Sequence, residues 1–249
     1  MFDLQSVTAV MKITLVHTHY QQPGGEDAVF EAEKALLERM GHEVIALTLH
    51  NRDLEHMPRS RQAAMTVWNR AAYRELRTLS WERRPQVVHI HNTFPLASPA
   101  VIPAAKAERI PVVMTLHNYR LLCANAVFFR QGRVCEECLG RLPWRGLVYG
   151  CYGASRTASA VVATMLAVHR AWGTWGLVDR YVVLTEFARQ KFIRAGFPAE
   201  KLVVKPNFVD PDPGMGVSQG RYALFVGRLS PEKGVRTLLG AWKRLDGRV

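Results

Sequence analysis

The chain has 249 residues, a formal net charge of +12 and a hydrophobic fraction of 48%, enough to bury the core of one large or about two small domains. No run of uncharged apolar residues reaches the roughly 18 to 20 that a membrane-spanning helix needs. The positive charge favours phosphorylated ligands or acidic lipid over neutral partners, although a solvated basic surface without a partner is equally compatible with it.

In chain order, apolar strands alternate with amphipathic helices after residues 1–10, which resemble a spare leader before Met11. The predicted strands are residues 12–17, 44–49, 87–91, 112–117, 180–184 and 202–205. The predicted helices are residues 26–40, 63–82, 99–108, 157–177 and 186–195. This alternation predicts an α/β fold with a doubly wound parallel, Rossmann-like sheet as an N-terminal domain over residues 11–209.

A second unit is predicted to begin after a linker rich in proline and glycine at residues 210–217. Residues 218–249 then contain one strand, at 222–227, and one helix, at 233–245. One strand and one helix cannot form a core, so we expect the start of a truncated second domain.

A glycine pair, Gly24 and Gly25, follows the first predicted strand. Glycine allows a ligand to approach the backbone closely, and the N–H groups of the helix that follows attract anions. Taken alone, the pair is more typical of an ordinary tight turn, so its assignment to a binding cleft depends on the rest of the chain.

Polar residues end two neighbouring strands. His117 and Asn118 end one, and His91 and Asn92 end the other. Ligands of open α/β sheets bind at the carboxyl ends of strands, so we predict that these residues contact a polar substrate such as a sugar. His89 lies inside its apolar run and is predicted to be a core residue.

A third motif lies at residues 225–234, where an apolar strand ends in Gly227, Arg228 follows, and Lys233 begins a helix. Two cations beside a helix N-terminus predict a diphosphate-binding site. A surface turn with two solvated cations explains the pattern less well.

All four cysteines lie in the irregular segment 120–155, as Cys123, Cys135, Cys138 and Cys151. One Cys-x-x-Cys pair flanked by two further cysteines suits tetrahedral zinc without an open ligand position, which is a structural site. Zinc is favoured over four unrelated thiols or two disulfides, because the chain is expected to be cytoplasmic.

These motifs together resemble the family 4 glycosyltransferases of the GT-B fold. Residues 226–229 with 232–234 are similar to the donor-phosphate signature of that family. The glycine pair and His117-Asn118 are similar to its first-domain motifs. Residues 185–188 are similar to its segment after a late strand, and residues 205–210 to its interdomain segment. The resemblance covers nearly the whole chain.

The resemblance implies transfer of a sugar from a nucleotide diphosphate-sugar to a glycan or lipid-linked acceptor, with anomeric retention and no catalytic metal. It implies that Arg228 and Lys233 bind the leaving diphosphate and that His117 contacts the sugar near the reaction centre. It also implies that Gly24 and Gly25 line the cleft.

The family carries two glutamates seven residues apart in its second domain, and residues 1–249 stop before that region, so we expect this chain alone to be inactive. A non-catalytic module that binds an acceptor or a partner protein is the alternative, which donor binding by the chain would exclude. A zinc-stapled nucleic-acid binder is a weaker one, because aromatic and basic residues do not interleave as in nucleic-acid modules.

Helix 63–82 combines arginines with tryptophans. The arginines around it are Arg59, Arg61, Arg70, Arg74, Arg77, Arg83 and Arg84. A helix that packs by its apolar side and keeps its charges in water explains this pattern slightly better than one that lies on an anionic membrane. With no secretory signal before the first strand, we expect a cytoplasmic protein, with peripheral binding to the inner face of the membrane as a hypothesis.

Overall fold

The computed structural model describes residues 9–214, 216 and 222–245. Six parallel strands form one sheet in the order β2-β1-β3-β4-β7-β8, and a two-stranded antiparallel hairpin lies apart from it. The strands are β1 Lys12–His19, β2 Glu43–His50, β3 Val87–Asn92, β4 Val112–Leu116, β5 Phe129–Arg130, β6 Arg133–Val134, β7 Arg180–Val183 and β8 Leu202–Val204. The helices are α1 Gly25–Arg39, α2 Arg59–Val67, α3 Arg70–Arg83, α4 Val101–Ala107, α5 Trp144–Val148, α6 Arg156–Ala171, α7 Glu186–Arg194 and α8 Val235–Arg244.

Both faces of the sheet are covered, which is why its strands are apolar without alternation. On one face, Ile13 and Leu15 of β1 pack against Phe30 of α1. On the other face, Val88 belongs to a cluster that includes Leu76 of α3. The prediction of a doubly wound parallel sheet is therefore confirmed.

The strand order places a binding crevice at β1 and β3. The chain passes from β1 to β2 on one side of β1 and then returns to add β3 on the other side. Doubly wound sheets bind ligands at the carboxyl ends of the two strands where this reversal occurs, because the following loops leave in opposite directions. The residues after β1 and β3 therefore line the candidate site.

One continuous helix was predicted at residues 63–82, and this prediction is wrong. The chain forms two helices, α2 and α3, which are separated by Trp68 and Asn69. Trp68 is extended, and the side chain of Asn69 accepts hydrogen bonds from the backbone N–H groups of Ala71 and Ala72. This N-terminal cap begins a second helix, which the uninterrupted apolar periodicity did not reveal.

Two further predictions need correction. The helix predicted at 157–177 ends at Ala171, where Gly173 adopts a left-handed conformation with φ 68° and a 3-10 turn follows at Thr174–Leu177. Segment 120–155 is not wholly irregular, since it contains the β5–β6 hairpin and α5.

The strand predicted at 222–227 is wrong. These residues are not in a strand, and Tyr222, Leu224 and Val226 are each more than three-quarters exposed. A strand needs a neighbour for its backbone hydrogen bonds, and within the described ranges none pairs with this segment. The helix expected at 233–245 is present as a 3-10 turn, Pro231–Lys233, followed by α8. Residues 215, 217–221 and 246–249, which fall in the predicted linker and second domain, lie outside the described residues.

Across the described parts of the chain, no helix combines the length and apolarity required to cross a membrane.

Candidate functional site

Histidines collect at the carboxyl edge of the sheet, on the face that α1 covers. Alternate residues of a strand share a face, so the side chains that follow Ile13 and Leu15 along β1 are histidines. The cluster is His17, His19, His89, His91 and His117. The apolar face beneath α1 therefore becomes polar where β1, β3 and β4 end.

Asp27, in the first turn of α1, binds the loop that follows β1. Its carboxylate accepts hydrogen bonds from His17 Nε2 at 2.9 Å, from the Gly24 N–H at 2.7 Å and from the Tyr20 N–H at 3.3 Å. Burial by itself would raise the pKa of Asp27, but these hydrogen bonds outweigh it and the pKa is lowered. The carboxylate therefore stays ionised and holds the glycine loop in one shape.

Glu26 links the loop after β1 to the loop after β4. Its carboxylate accepts a hydrogen bond from Tyr20 Oη at 2.8 Å and another from Asn118 Nδ2 at 2.7 Å. The Asn118 Oδ1 atom accepts the N–H of Arg120. The predicted substrate ligand Asn118 thus lies at the site edge with its polar atoms engaged within the protein.

Three histidines form hydrogen-bonded pairs at the ends of β3 and β4. His91 Nδ1 lies 3.1 Å from His117 Nε2, and His89 Nε2 lies 2.8 Å from Thr115 Oγ1. Burial lowers the pKa of both His89 and His117 to about 4, and it lowers the pKa of His91 well below the ordinary value. All three rings are neutral near pH 7, so they act as hydrogen-bond partners rather than as cations.

Glu33 and Lys205 complete the buried side of the site. Glu33, on α1, is 8% exposed and accepts a hydrogen bond from Lys205 Nζ at 2.8 Å. Its two oxygens face His89 and His91. Lys205 follows β8, so this contact connects the last strand of the sheet to the first helix.

The structure brings the predicted first-domain residues together. His91, Asn92 and His117 line a cavity of about 30 Å³, which has room for water but is far below the roughly 300 Å³ of common ligand pockets. Asn92 donates to the Thr18 carbonyl and accepts the Phe94 N–H, so its side chain also fixes the loop after β3. His89 is buried, as predicted.

Gly24 and Gly25 lie at the same edge, and no contact within the described residues requires them to be glycine. A Cβ atom at Gly24 would meet its nearest neighbours at 3.7 Å or more, and one at Gly25 would meet nothing within 4 Å. Neither has a left-handed conformation. The space above them is open to a ligand.

A larger groove adjoins this edge at Phe94. Its volume is about 680 Å³, and it runs between α2, Phe94-Pro95 and the start of α6. The Arg120 guanidinium lies 4.5 Å from the Phe94 ring and 5.0 Å from the Tyr152 ring, both of which line the groove. Arg120 also lines the small cavity beside His117, so one cation connects the two spaces.

Arg228 and Lys233 are not joined to this site. Within the part of the chain that the structure describes, residues 222–245 form hydrogen bonds and ion pairs only with one another, as in the 3.9 Å pair between Arg228 and Glu232. Gly227 has φ 158°, and Gly234 precedes α8 in a left-handed conformation. The diphosphate role of Gly227, Arg228 and Lys233 therefore stays a prediction.

All four cysteines line one cavity of about 20 Å³, and their thiols are free rather than in disulfides. Arg130 and Arg145 line the same cavity, so two guanidinium groups are available to offset thiolate charge. The thiols are more open than a tetrahedral set, since among the described residues no three sulfur atoms lie within 4.8 Å of one another. The donor set suits zinc, and coordination would draw the sulfurs together.

Sequence reasoning missed His17, Glu33, Lys205 and Arg120 as site residues. His17 was assigned to the end of a shorter strand, and Glu33 has the ordinary appearance of a helical carboxylate. Only the alternation of β1 beyond residue 17 carried a signal, because it places His17 and His19 on the same face as Leu15.

Comparison with known proteins gives a family and a set of distant folds. The family model described as "Glycosyl transferase 4-like domain" matches residues 24–207, which is more than half of the chain. No curated protein is significantly similar in sequence.

Two solved structures illustrate the distant similarity. Anabaena Alr3699/HepE in complex with UDP-glucose is 16% identical with a TM-score of 0.40, over 80% of this chain and 44% of that chain. The UDP-GlcNAc 2-epimerase from Methanocaldococcus jannaschii is 11% identical with a TM-score of 0.37, over 78% of this chain and 45% of that chain. The chain thus spans less than half the length of these structures.

Proposed function

We propose that this chain, which belongs to the glycosyl transferase 4-like family, takes part in sugar transfer. The sugar would pass from a nucleotide diphosphate-sugar to a glycan or lipid-linked acceptor. The observation that carries the proposal is that His91 and His117 line one cavity at the carboxyl ends of β3 and β4, while Gly24 and Gly25 begin α1 after the neighbouring β1. Doubly wound sheets bind ligands at this edge.

In this proposal the described edge is the acceptor side of the cleft. The glycine loop is flanked by the carboxylates of Glu26 and Asp27, whose negative charge would repel a phosphate, so an uncharged, hydroxyl-bearing acceptor suits this edge better. The diphosphate is assigned to Arg228 and Lys233, whose charges would stabilise the negative charge that develops on the leaving group.

His117 contacts the transferred sugar in this proposal and acts as a hydrogen-bond partner, not as a nucleophile or general base. Its Nε2 atom is held by His91, which sets the orientation of the ring. The groove beside Phe94 would take the remainder of the acceptor, since it combines apolar side chains with the hydroxyl groups of Ser155 and Thr157.

Replacement of His117 by alanine is expected to lower kcat about 100-fold in a sugar-transfer assay, because one positioned hydrogen bond at the reacting sugar is lost. The assay measures nucleoside diphosphate release from a panel of UDP-, GDP- and ADP-sugars, using the protein expressed from its complete reading frame. His56→Ala, at an exposed histidine, is the matched control and should leave kcat unchanged.

Two results would count against this function. Turnover that does not depend on His117 would remove the assigned role, and absence of donor binding to the same protein would favour the alternative of a non-catalytic acceptor- or partner-binding module.

Donor affinity itself should fall at least about tenfold in Arg228→Ala and in Lys233→Ala but not in Arg244→Ala, because each of the first two contributes a charged phosphate contact.

The exposed face of α3 is proposed to contact an anionic membrane surface. Leu76 is buried in the core, as expected for a packed helix, but Trp81 is 64% exposed and the Arg84 guanidinium lies 4.9 Å from the Trp81 ring. Residues Arg70, Arg74 and Trp81 line one open groove with further aromatic and basic side chains. Tryptophan beside arginine is typical of helices that lie at a membrane interface.

Charge reversal tests this membrane contact. The double variant Arg70→Glu, Arg74→Glu should bind vesicles of mixed neutral and anionic phospholipid at least about tenfold more weakly than the unaltered chain, since each basic residue near the surface contributes about 1 kcal/mol. The double variant Arg133→Glu, Arg141→Glu changes the net charge equally in the cysteine-bearing segment and should bind normally. Equal, negligible binding to neutral and anionic vesicles would exclude the membrane contact.

A further inference from the structure

A carboxylate and two imidazoles lie together, largely buried, where α1 packs on the sheet. Glu33, His89 and His91 are each less than 9% exposed, and one ligand atom from each lies within 4.8 Å of the others. Buried groups of this kind need partners, because leaving them unpaired in the interior costs free energy.

The internal hydrogen bonds of this group are incomplete. Glu33 Oε1 lies 3.4 Å from His89 Nδ1, and Glu33 Oε2 lies 3.9 Å from His91 Nε2, both longer than an N–H to oxygen hydrogen bond. The His91 side chain is fully buried, and its Nε2 atom has no hydrogen-bond partner among the residues that the structure describes. An unpartnered ring nitrogen therefore points at a carboxylate that it does not reach.

The spacing and the second ring nitrogens suit a metal ion. Ligands about 2.0 to 2.1 Å from a tetrahedral zinc ion lie about 3.3 Å from one another, close to the observed separation of Glu33 and His89. Metal-binding histidines usually donate their other ring N–H to a fixed acceptor. His89 Nε2 is paired with Thr115 Oγ1, and His91 Nδ1 is paired with His117 Nε2.

We propose that Glu33, His89 and His91 bind a divalent transition-metal ion, for which zinc is the expected ion because two imidazoles and one carboxylate are borderline donors. The ion would fasten α1 to β3 and fix the orientation of the His91–His117 pair. It is separate from the four-cysteine cavity, and its role is to position residues rather than to take part in sugar transfer.

Lys205 provides a specific test of this site. Its ammonium group binds Glu33 Oε2 at 2.8 Å, so it competes electrostatically with a cation at the same carboxylate. Lys205→Met should therefore bind zinc about tenfold more tightly than the unaltered chain. If Glu33 serves only as the partner of Lys205, the same variant gains no metal affinity.

The experiment is a zinc titration of the reduced, chelator-treated chain by calorimetry, followed by a cobalt titration. Glu33→Gln and His91→Asn should weaken binding at this site at least about 100-fold, while Glu31→Gln, on an exposed part of α1, should leave it unchanged. Cobalt bound here should lack the thiolate charge-transfer absorption that cobalt at the cysteines shows.

The outcomes are distinguishable. The site is supported if one equivalent of cobalt binds without thiolate absorption, and if metal binding at this site is lost in Glu33→Gln and becomes tighter in Lys205→Met. Zinc binding that is confined to thiolate ligands, or that is equal in Glu33→Gln and the unaltered chain, overturns it. The measurement needs no sugar transfer, so it is independent of the proposed activity.

Discussion

Replacement of Asp27 by alanine is expected to lower the free energy of unfolding by about 3 kcal/mol or more. The Asp27 side chain is 10% exposed and accepts hydrogen bonds from His17 and from the N–H groups of Gly24 and Tyr20. Removing a buried charged acceptor leaves several donors without a partner, and each costs about 1 to 3 kcal/mol. Urea denaturation at neutral pH measures the effect.

Two comparisons separate the lost hydrogen bonds from a general effect of mutating α1. Glu31→Gln should change the free energy of unfolding by less than about 0.5 kcal/mol, because the Glu31 side chain is 59% exposed. Asp27→Asn keeps the shape and one acceptor oxygen, so it should cost less than Asp27→Ala. A loss in Asp27→Ala no larger than that in Glu31→Gln would contradict the assigned role.

The effect of Asp27 should also depend on pH. The folded protein lowers the pKa of this carboxylate, so its stabilisation is fully present above the unfolded pKa and is lost as the pH falls through the folded value. The difference in unfolding free energy between the unaltered chain and Asp27→Asn should therefore shrink as the pH is lowered below about 4. A difference that grows with acid would contradict this sign.

Replacement of Cys138 by serine is expected to remove one equivalent of zinc and to loosen residues 120–155. In this prediction the four cysteines hold zinc, and a structural zinc site contributes on the order of 10 kcal/mol to the segment that it organises. Cys138 is buried and lines the same cavity as the other three cysteines, so its loss would remove one of the four thiolate ligands. Metal analysis of the reduced protein and limited proteolysis of the segment measure the two effects.

Removal of metal by a chelator is the control for the Cys138→Ser substitution. Treatment of the unaltered chain with a strong chelator should reproduce the proteolysis pattern of Cys138→Ser, and zinc should restore the unaltered chain but not the variant. Equal zinc content in the two proteins, or equal resistance of the segment to protease with and without zinc, would show that the cysteines have another role.

The sequence predicted the sheet well because its signal is local. Each strand of the sheet contains a short apolar run, and burial of the central strands on both faces weakens the alternation that a one-sided sheet would show. The same rule failed at residues 222–227, where an apolar run has no neighbouring strand among the described residues. The helical periodicity was likewise misleading at Asn69. The apolar pattern continues past this residue, but its side chain caps a new helix and the backbone helix is interrupted there.

The site was predicted in part for the same reason. His91 and His117 were identifiable because strand ends can be read from the sequence, and parallel strands bring their carboxyl ends to one edge. Their partners were not identifiable, because Glu33 and Lys205 are separated by most of the chain and meet through the packing of α1 on the sheet.

The sequence by itself determined the doubly wound class, the family and the strand ends that carry histidines, because these depend on the order of residues along short segments. Only the tertiary structure decided that Arg120 lies between the cavity beside His117 and the larger groove, and that Glu33 faces His89 and His91. These contacts join residues distant in sequence, and their geometry depends on how helices and loops pack across several strands, which no local pattern encodes.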